Sequence, residues 1–281
     1  MRAAHLSPVE PIVLVAHGSR DPRAVTATRA LARQVGRLGG GAVVRAGYLD
    51  HTDPRPEAVL AALQRRGHRR AALVPLLLTD AFHGRVDLPA VVAQARAAGL
   101  RIPVRLTPVL GCAGSTVDGL LLAALERRLA EAAPAGFDAL VLAAAGTRNA
   151  AARESVARVT QLLGRRHGVP ALTAYASAAP PTAGEAVLRL RAAGARRVAV
   201  AAYFLAPGRL YESVAVTAAA AGSIAVAQPL SDAPELARLV LDRVAAGRPG
   251  VTVTSGVTVT SGTTMAPGVT GGRRSLAVTL G

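Results

Sequence analysis

Residues 11–22 read PIVLVAHGSRDP, and this stretch carries an apolar run directly into a histidine, a glycine and an Asp-Pro pair. A continuous apolar run of this length is typical of a strand in a parallel sheet that is covered on both faces. Gly18 permits a tight turn, and Asp21 before Pro22 is typical of a helix N-cap. The stretch therefore predicts a strand, a turn and a helix, with His17 at the carboxyl end of the strand.

Further apolar runs alternate with segments of helical period through the first half of the chain. The runs lie at 42–49, 71–78 and 102–110, and the helix candidates lie at 22–38, 55–66, 86–98 and 114–132. Strands that alternate with helices of this length indicate βαβ units and a parallel sheet.

The same pattern begins again about 127 residues later. Segment 138–150, DALVLAAAGTRNA, echoes 11–22, and segment 184–205 echoes 56–78. An internal duplication of this kind predicts an α/β fold of two similar lobes, each a doubly wound parallel four-stranded sheet flanked by helices. We expect the lobes to span residues 1–134 and 135–247, with Pro134 and Gly136 between them.

Residues 248–281 have a different character, because they contain the perfect repeat VTVTSGVTVTSG. Each repeat has a glycine and no large apolar side chain, so the segment buries too little surface to offset the entropy of ordering. We expect a low-complexity, disordered tail, with an added β-hairpin as the alternative.

The chain is strongly basic, with a formal net charge of +16, and all 33 basic residues are arginine. An arginine-rich solvated surface, a nucleic-acid partner and a polyanionic small molecule would each fit this charge. The arginines are scattered through every helix candidate, and four Tyr, three Phe and no Trp leave few rings to stack on bases. We therefore expect no nucleic-acid partner.

Cysteine usage and hydropathy bear on the compartment. Cys112 is the single cysteine, which excludes an intrachain disulfide and suits a reducing compartment. The first residues lack the apolar core of a signal peptide, and apolar runs of about nine residues are too short to span a bilayer. We expect a cytoplasmic protein that does not enter a membrane.

Two histidines stand where ligands bind in open parallel sheets, at the carboxyl ends of strands. His17 ends the first predicted strand, Asp50 and His51 follow the second, and His83 lies a few residues past the third. If the strand order is the common 2-1-3-4, His17 and His83 meet at the switch point between strands one and three. His68 precedes a strand and belongs to the opposite edge.

Two imidazoles without cysteine partners suit borderline divalent metals such as iron, cobalt, nickel or zinc. A structural zinc site is closed and usually has four protein ligands, so two histidines are too few for one. They suit a site that holds a metal briefly and then releases it.

The motifs AHGSRDP at 16–22 and PLLLTDAFHGRVDLP at 75–89 resemble those of the class II sirohydrochlorin chelatases. The resemblance covers about residues 11–246. It implies the long, two-lobed form of a chelatase, a lyase that inserts Fe²⁺ or Co²⁺ into sirohydrochlorin for sirohaem or cobalamin synthesis. It further implies no organic cofactor, and a monomer whose duplicated lobes make the cleft within one chain.

The resemblance assigns the metal to the first lobe. His17 and His83 match the metal-binding histidines of the family, and Asp50 falls where the family often has an acidic residue. In the second lobe Ala145, Ser177 and Leu210 stand at the positions of these three residues, so that lobe is expected to have lost the metal site.

The resemblance also implies the chemistry. Neutral His17 and His83 would present the metal, while His83 or Asp50 would accept a pyrrole proton. Sirohydrochlorin is a polycarboxylate, so a basic cleft is expected, although the same residues would equally suit a solvated rim and, for the serine, a helix cap. The candidate cleft residues are Ser19, Arg20, Arg85, Arg148 and Arg209.

Two further questions stay open at this point. Iron is preferred because a single-protein chelatase serves sirohaem synthesis widely, and cobalt is the close alternative, since both metals accept imidazole. A non-catalytic carrier of metal or tetrapyrrole is the competing class, favoured by the lost second-lobe histidines and opposed by the retained first-lobe pair.

Overall fold

The structure, a computed structural model, describes residues 10–79, 88–112 and 116–246, and a short strand at 256–258. The first sheet has four parallel strands in the order β2-β1-β3-β4, which is the common order considered in the sequence analysis. Its strands are β1 (Ile12–Ala16), β2 (Val44–Tyr48), β3 (Ala71–Pro75) and β4 (Val104–Leu106). The helices that connect them are α1 (Pro22–Leu38), α2 (Pro56–Arg65) and α3 (Leu88–Ala97).

The second sheet repeats the first, with parallel strands in the order β7-β6-β8-β9. The predicted α/β class and the two doubly wound sheets are thereby confirmed. Its strands are β6 (Ala139–Ala144), β7 (Ala171–Tyr175), β8 (Val198–Tyr203) and β9 (Ala225–Val226). Its connecting helices are α5 (Ala150–His167), α6 (Ala183–Ala192) and α7 (Arg209–Ala220).

Alternate side chains of the central strands enter different cores, because successive residues of a strand point to opposite faces. In β1, Val13 and Val15 pack in an outer core of the first lobe. Ile12 and Leu14 enter a central core that also receives Leu140 and Leu142 of the second sheet. The two sheets therefore share one core, and the second lobe has its own outer core as well.

Two helices cross between the lobes. α4 (Gly119–Ala132), which follows the short strand β5 (Thr116–Asp118), packs against β8 and β9 of the second sheet. α8 (Pro234–Ala246), at the end of the second repeat, packs against α1 and β3 of the first lobe. Each sheet is therefore covered by a helix from the other half of the chain. The expected boundary at residue 134 separates two repeats in the chain but not two independently packed bodies.

Ion pairs hold α4 and α8 in place between the two lobes. The Arg127 guanidinium of α4 donates from Nε to the Glu235 carboxylate of α8 at 3.0 Å. Arg243 of α8 pairs with the buried Asp118 at 3.0 Å, and it also donates to the Val109 carbonyl at 2.9 Å. Both arginines bind a carboxylate in the other repeat. They therefore stabilise the packing of the two repeats against each other.

The structure departs from the expected disordered tail at one point. Gly256–Thr258 forms a strand, β10, that pairs antiparallel with β5. The rest of 248–281 lies outside the described residues. Among the described helices, none combines the length and the apolar character that crossing a bilayer requires.

Candidate metal centre

The turn after β1 brings His17 against the end of β2. Gly18 has φ +98°, and a side chain there would collide with the carbonyl oxygen of Asp50. The close approach lets the Asp50 amide donate to the His17 carbonyl at 2.8 Å. Glycine is therefore required at position 18 both for its positive φ and for the space it leaves.

Further hydrogen bonds hold the two turns together. The Leu49 amide donates to the Ala16 carbonyl at 3.0 Å, which extends the β1–β2 ladder by one residue. The Thr52 hydroxyl donates to the Ser19 carbonyl at 3.0 Å. The backbone that carries His17 and Asp50 is thus fixed before any ligand binds.

Three side chains form a candidate metal site on this backbone, which we call the triad: His17, Asp50 and His51. One ligand atom from each lies within 4.8 Å of the others, and all three residues are exposed. The two imidazole rings are edge to face, with centroids 6.2 Å apart and planes at 88°. His51 Nε2 lies 3.5 Å from Asp50 Oδ2, and the His51 amide donates to Asp50 Oδ1 at 2.8 Å.

The electrostatics suit a divalent cation. The pKa of Asp50 is lowered from its ordinary value, first by the hydrogen bond from the His51 amide. The charges of the His51, His17 and Arg55 side chains lower it further. Its carboxylate is therefore ionised at neutral pH. Two atoms that each lie about 2.1 Å from one metal can be at most about 4.2 Å apart. Small movements of these exposed side chains would bring the triad to that spacing.

Sequence reasoning found two members of the triad and missed the third. The structure brings together His17 and Asp50, whereas the partner expected for His17 at the strand ends was His83. His51 was noted at the end of β2 but was not assigned a role, although a histidine directly after the acidic residue in LDHTDP was the available signal. His83 and Arg85 lie outside the described residues, so the meeting of His17 with His83 stays a prediction.

Two cavities meet at His17. One, of about 460 Å³, is lined by His17, Asp50, Arg55, Glu57 and Gln94 among others, and so is mostly polar. The other, of about 210 Å³, lies between the lobes and is mostly apolar, with a wall from Leu205, Ala206 and Pro207 of the second lobe. His17 therefore contacts a polar cavity beside the triad and an apolar one between the sheets.

The carboxyl edges of the two sheets face each other. A third cavity, of about 260 Å³, is lined by residues 76–79 after β3 together with residues 144–147 after β6 and 203–205 at the end of β8. The Tyr203 hydroxyl, from the second lobe, donates to the Leu78 carbonyl of the first at 3.0 Å. A cleft between the lobes thus opens beside the triad.

Four of the five predicted carboxylate-binding residues lie within the described part of the chain. Ser19 lines the apolar cavity, and its hydroxyl oxygen accepts from the Asp21 amide at 3.0 Å in the turn before α1. Arg20 and Arg148 are exposed in the equivalent turns after β1 and β6, and Arg209 is the exposed first residue of α7. The structure thus places Ser19 in the wall of the cleft, and it places the three arginines in exposed segments that follow β1, β6 and β8.

Two other described histidines, His68 and His167, and the cysteine lie away from the triad. His68 precedes β3, and His167 ends α5 with its ring 5.0 Å from that of Phe137, so both belong to the amino edge of a sheet. Cys112 is buried, and burial raises the pKa of its thiol. These residues are not part of the candidate site.

The second lobe repeats the backbone of the site without its ligands. Gly146 also has φ +98°, and a side chain there would collide with the Ser177 carbonyl oxygen. The Ser177 amide donates to the Ala145 carbonyl at 3.1 Å, as the Asp50 amide does to His17. Ala178 shares the positive φ of His51, at 65° against 59°. Ala145, Ser177 and Ala178 thus occupy the positions of the triad.

Comparison with protein families agrees with this duplication. The model of the CbiX family matches residues 11–132 and, a second time, residues 139–246. The chain belongs to the CbiX family. This confirms the resemblance to the sirohydrochlorin chelatases and their long form, because the family model matches both halves.

The sequence identity between this chain and an individual curated relative is low. The chain is 27% identical over 82 residues to a sirohydrochlorin cobaltochelatase of Methanosarcina acetivorans, a match that covers 29% of this chain and 63% of that protein. The chain therefore spans less than two thirds of the length of this curated relative.

Two solved structures have the same fold. SirB from Bacillus subtilis with Fe³⁺ is 19% identical, with a TM-score of 0.72, and the match covers 84% of this chain and 94% of that one. The sirohydrochlorin chelatase SirB from Bacillus subtilis subspecies spizizenii in complex with cobalt is 20% identical, with a TM-score of 0.66 and the same coverage. At this identity the likeness is one of fold.

Proposed function

We propose that the protein inserts Fe²⁺ into sirohydrochlorin, as a chelatase of sirohaem synthesis. The observation that carries this proposal is the triad, which stands at the carboxyl edge of the first sheet and opens on the inter-lobe cleft of a CbiX-family chain. Two imidazoles and one carboxylate are ligands that a borderline divalent metal accepts.

The triad would present the metal to the macrocycle. His17 and His51 would bind it as neutral imidazoles and Asp50 as a carboxylate, which leaves further coordination positions open for the pyrrole nitrogens. We retain His83 as a proposed further ligand, on the motif FHGRVDLP. Because the triad is exposed rather than enclosed, the metal can leave it without the fold opening.

Insertion requires that the two pyrrole N–H protons leave as the divalent metal enters. The metal takes the place of these two protons, and no electron is gained or lost. His17 and His51, once they have given up the metal, each have a free ring-nitrogen lone pair and could each accept one of the two protons. Asp50 would keep the metal near the cleft but, with its lowered pKa, is a poor proton acceptor.

The apolar cavity between the lobes would receive an edge of the macrocycle, and the cleft residues would hold its carboxylates. Ser19 lines this cavity, and the proposed arginines are Arg20, Arg148 and Arg209, which are exposed after β1, β6 and β8, with Arg85 retained from the sequence. Arginine suits this task because its planar fork binds a carboxylate through two parallel hydrogen bonds. We expect a monomer, because α4 and α8 complete both sheets within one chain.

Cobalt is the second candidate metal, favoured by the match to the cobaltochelatase of Methanosarcina acetivorans. The ligand set does not separate the two ions, since selectivity among such metals often follows their availability. An insertion assay with each metal decides between them.

The test is to mix the purified protein anaerobically with sirohydrochlorin and to add Fe²⁺, Co²⁺ or Ni²⁺ separately. Absorbance of the tetrapyrrole reports insertion against the uncatalysed rate. We expect faster insertion of Fe²⁺ than of the other two metals, and an uncatalysed rate for the His17→Ala variant. Binding of metal or tetrapyrrole without any acceleration would instead indicate a carrier.

A further inference from the structure

The N-cap residues of α2 and α6, which are equivalent helices of the two lobes, are of different types. In the second lobe Thr182 is the N-cap of α6 and forms a capping box with Glu185, with bonds of 3.3 Å and 2.9 Å. In the first lobe the equivalent N-cap of α2 is Arg55, and its side chain makes no capping bond. Arg55 and Thr182 are separated by the same number of residues as Asp50 and Ser177.

Arginine is a poor choice for this position on grounds of stability. Threonine accepts a hydrogen bond from the first turn, whereas a guanidinium has no acceptor atom to offer. The backbone of Arg55, with φ −67° and ψ 149°, has the extended conformation of an ordinary N-cap, so threonine would fit there. The first lobe thus forgoes a cap that the second lobe has.

The Arg55 side chain lines the polar cavity of about 460 Å³ beside the triad. It is near enough to Asp50 to contribute to the lowered pKa of that carboxyl group. Among the described residues, no hydrogen bond or ion pair engages its guanidinium. The nearby Asp50 carboxylate accepts from the His51 amide and forms no ion pair with Arg55. Glu57, which lines the same cavity, does not pair with Arg55 either.

Other arginines show what a structural role looks like in this fold. Arg127 and Arg243 bind carboxylates of other elements, and Arg105 pairs with the buried Glu10 at 2.7 Å. Within the described part of the chain Arg55 makes no contact of this kind, although a cavity and five N–H donors are available to it. The described contacts of the fold therefore do not explain an arginine at this position.

We propose that Arg55 binds a carboxylate of the tetrapyrrole and so sets which edge of the macrocycle faces the triad. This inference rests on the proposed function, because it takes a polycarboxylate as the substrate. The guanidinium fork suits a carboxylate, and the uncapped amides at the start of α2 add positive charge to the same end of the cavity. The second lobe has Ala145, Ser177 and Ala178 in place of the triad, and it keeps the cap.

The test is the Arg55→Thr variant, in which Arg55 is replaced by the residue type of Thr182, the equivalent N-cap of the second lobe. We expect its dissociation constant for sirohydrochlorin to rise by roughly tenfold, which is the effect of losing one charged hydrogen-bonded contact. Its Co²⁺ affinity without tetrapyrrole should stay unchanged, and its melting temperature should be equal or higher because the cap is restored. Arg55→Lys should recover part of the substrate affinity, since it keeps the charge but not the fork.

The matched control is Arg65→Thr, in the last turn of the same helix, which removes one charge far from the cavity. It should bind sirohydrochlorin as the unmodified chain does. If Arg55→Thr binds the tetrapyrrole unchanged, the assignment is wrong. If it loses Co²⁺ affinity instead, Arg55 acts through Asp50 and the assignment is equally wrong. If the unmodified chain does not bind sirohydrochlorin, the proposed function itself fails.

Discussion

The turn after β1 and the turn after β6 have the same backbone and different chemistry. Gly18 and Gly146 share one φ value, and each passes close against a carbonyl group of the neighbouring turn. The first turn carries His17 against Asp50 and His51, whereas the second carries Ala145 against Ser177 and Ala178. The features that the fold needs are thus kept in both lobes, and the ligand side chains are present in one.

The central core explains why the second lobe is kept without ligands. The inner faces of both sheets pack in one cluster, and α4 and α8 each cover the sheet of the other half. Removing the second lobe would expose this apolar surface and remove a wall of the cleft. The second lobe therefore contributes to the shared core and to the wall of the cleft, and we propose that the first lobe binds the metal.

The largest expected effect follows from deleting a ligand of the first lobe. We expect His17→Ala to lower Co²⁺ affinity by more than the roughly 10–100-fold that loss of an outer-sphere partner costs, because a direct ligand is removed. Isothermal titration with Co²⁺ measures this. His68→Ala, at the opposite edge of the same sheet, is the control and should bind Co²⁺ normally. Equal losses in the two variants would show that the strand-end position does not define the site.

Adding the metal ligands to the second lobe tests whether its backbone can also support a metal site. The triple variant Ala145→His, Ser177→Asp, Ala178→His places the ligands of the first lobe on the matching backbone of the second. We expect the Co²⁺ stoichiometry to rise from one to two per chain, with a weaker second site. Ser177→Asp alone should leave it at one. A triple variant that folds and still binds one Co²⁺ would mean that backbone likeness is insufficient.

Much of this organisation could be predicted from the sequence, because the signals are local. Uninterrupted apolar strands, glycine turns and the repeated motif predict two parallel sheets and place His17 and Asp50 at a carboxyl edge. The helix exchange could not be predicted, since α4 and α8 have apolar faces that suit either sheet. The roles of His51 and Arg55 depend on the path of the β2–α2 turn, which the sequence pattern does not reveal.

The shared backbone predicts a smaller, matched effect on stability. Gly18→Ala and Gly146→Ala should each destabilise the chain by at least about 1–3 kcal/mol, because a non-glycine residue at this φ is strained and its Cβ collides with a carbonyl. Only Gly18→Ala should also weaken Co²⁺ binding. Denaturant unfolding and Co²⁺ titration measure the two effects.

Gly40→Ala isolates the contribution of φ, because Gly40 has φ +64° with nothing within 4 Å of an added Cβ. It should destabilise less than either turn variant. A loss of Co²⁺ binding in Gly146→Ala would contradict the division of roles between the lobes.

The smallest expected effect concerns the contact between the exchanged helices. The hydrogen bonds from Arg127 lower the pKa of Glu235, so this pair stabilises the fold above the ordinary carboxyl range, near pH 4.3. That stabilisation is lost as the pH falls through the lowered pKa. Glu235→Gln should therefore reduce the melting temperature by about 2–4 °C at pH 7, and by less below pH 4.

Glu154→Gln serves as the control for this prediction, because Glu154 is 73% exposed and pairs with Arg158 on its own helix. It should have no measurable effect at either pH. A Glu235→Gln penalty that is the same at pH 7 and pH 3.5 would show that packing, rather than the ion pair, is responsible.

The central claim is that the metal binds in the first lobe alone, and cobalt anomalous diffraction from crystals of the full chain with Co²⁺ tests it most directly. We expect a peak about 2.1 Å from ring nitrogens of His17 and His51 and from a carboxylate oxygen of Asp50, and no peak beside Ala145 and Ser177. A peak in the second lobe, or one remote from His17, would contradict it.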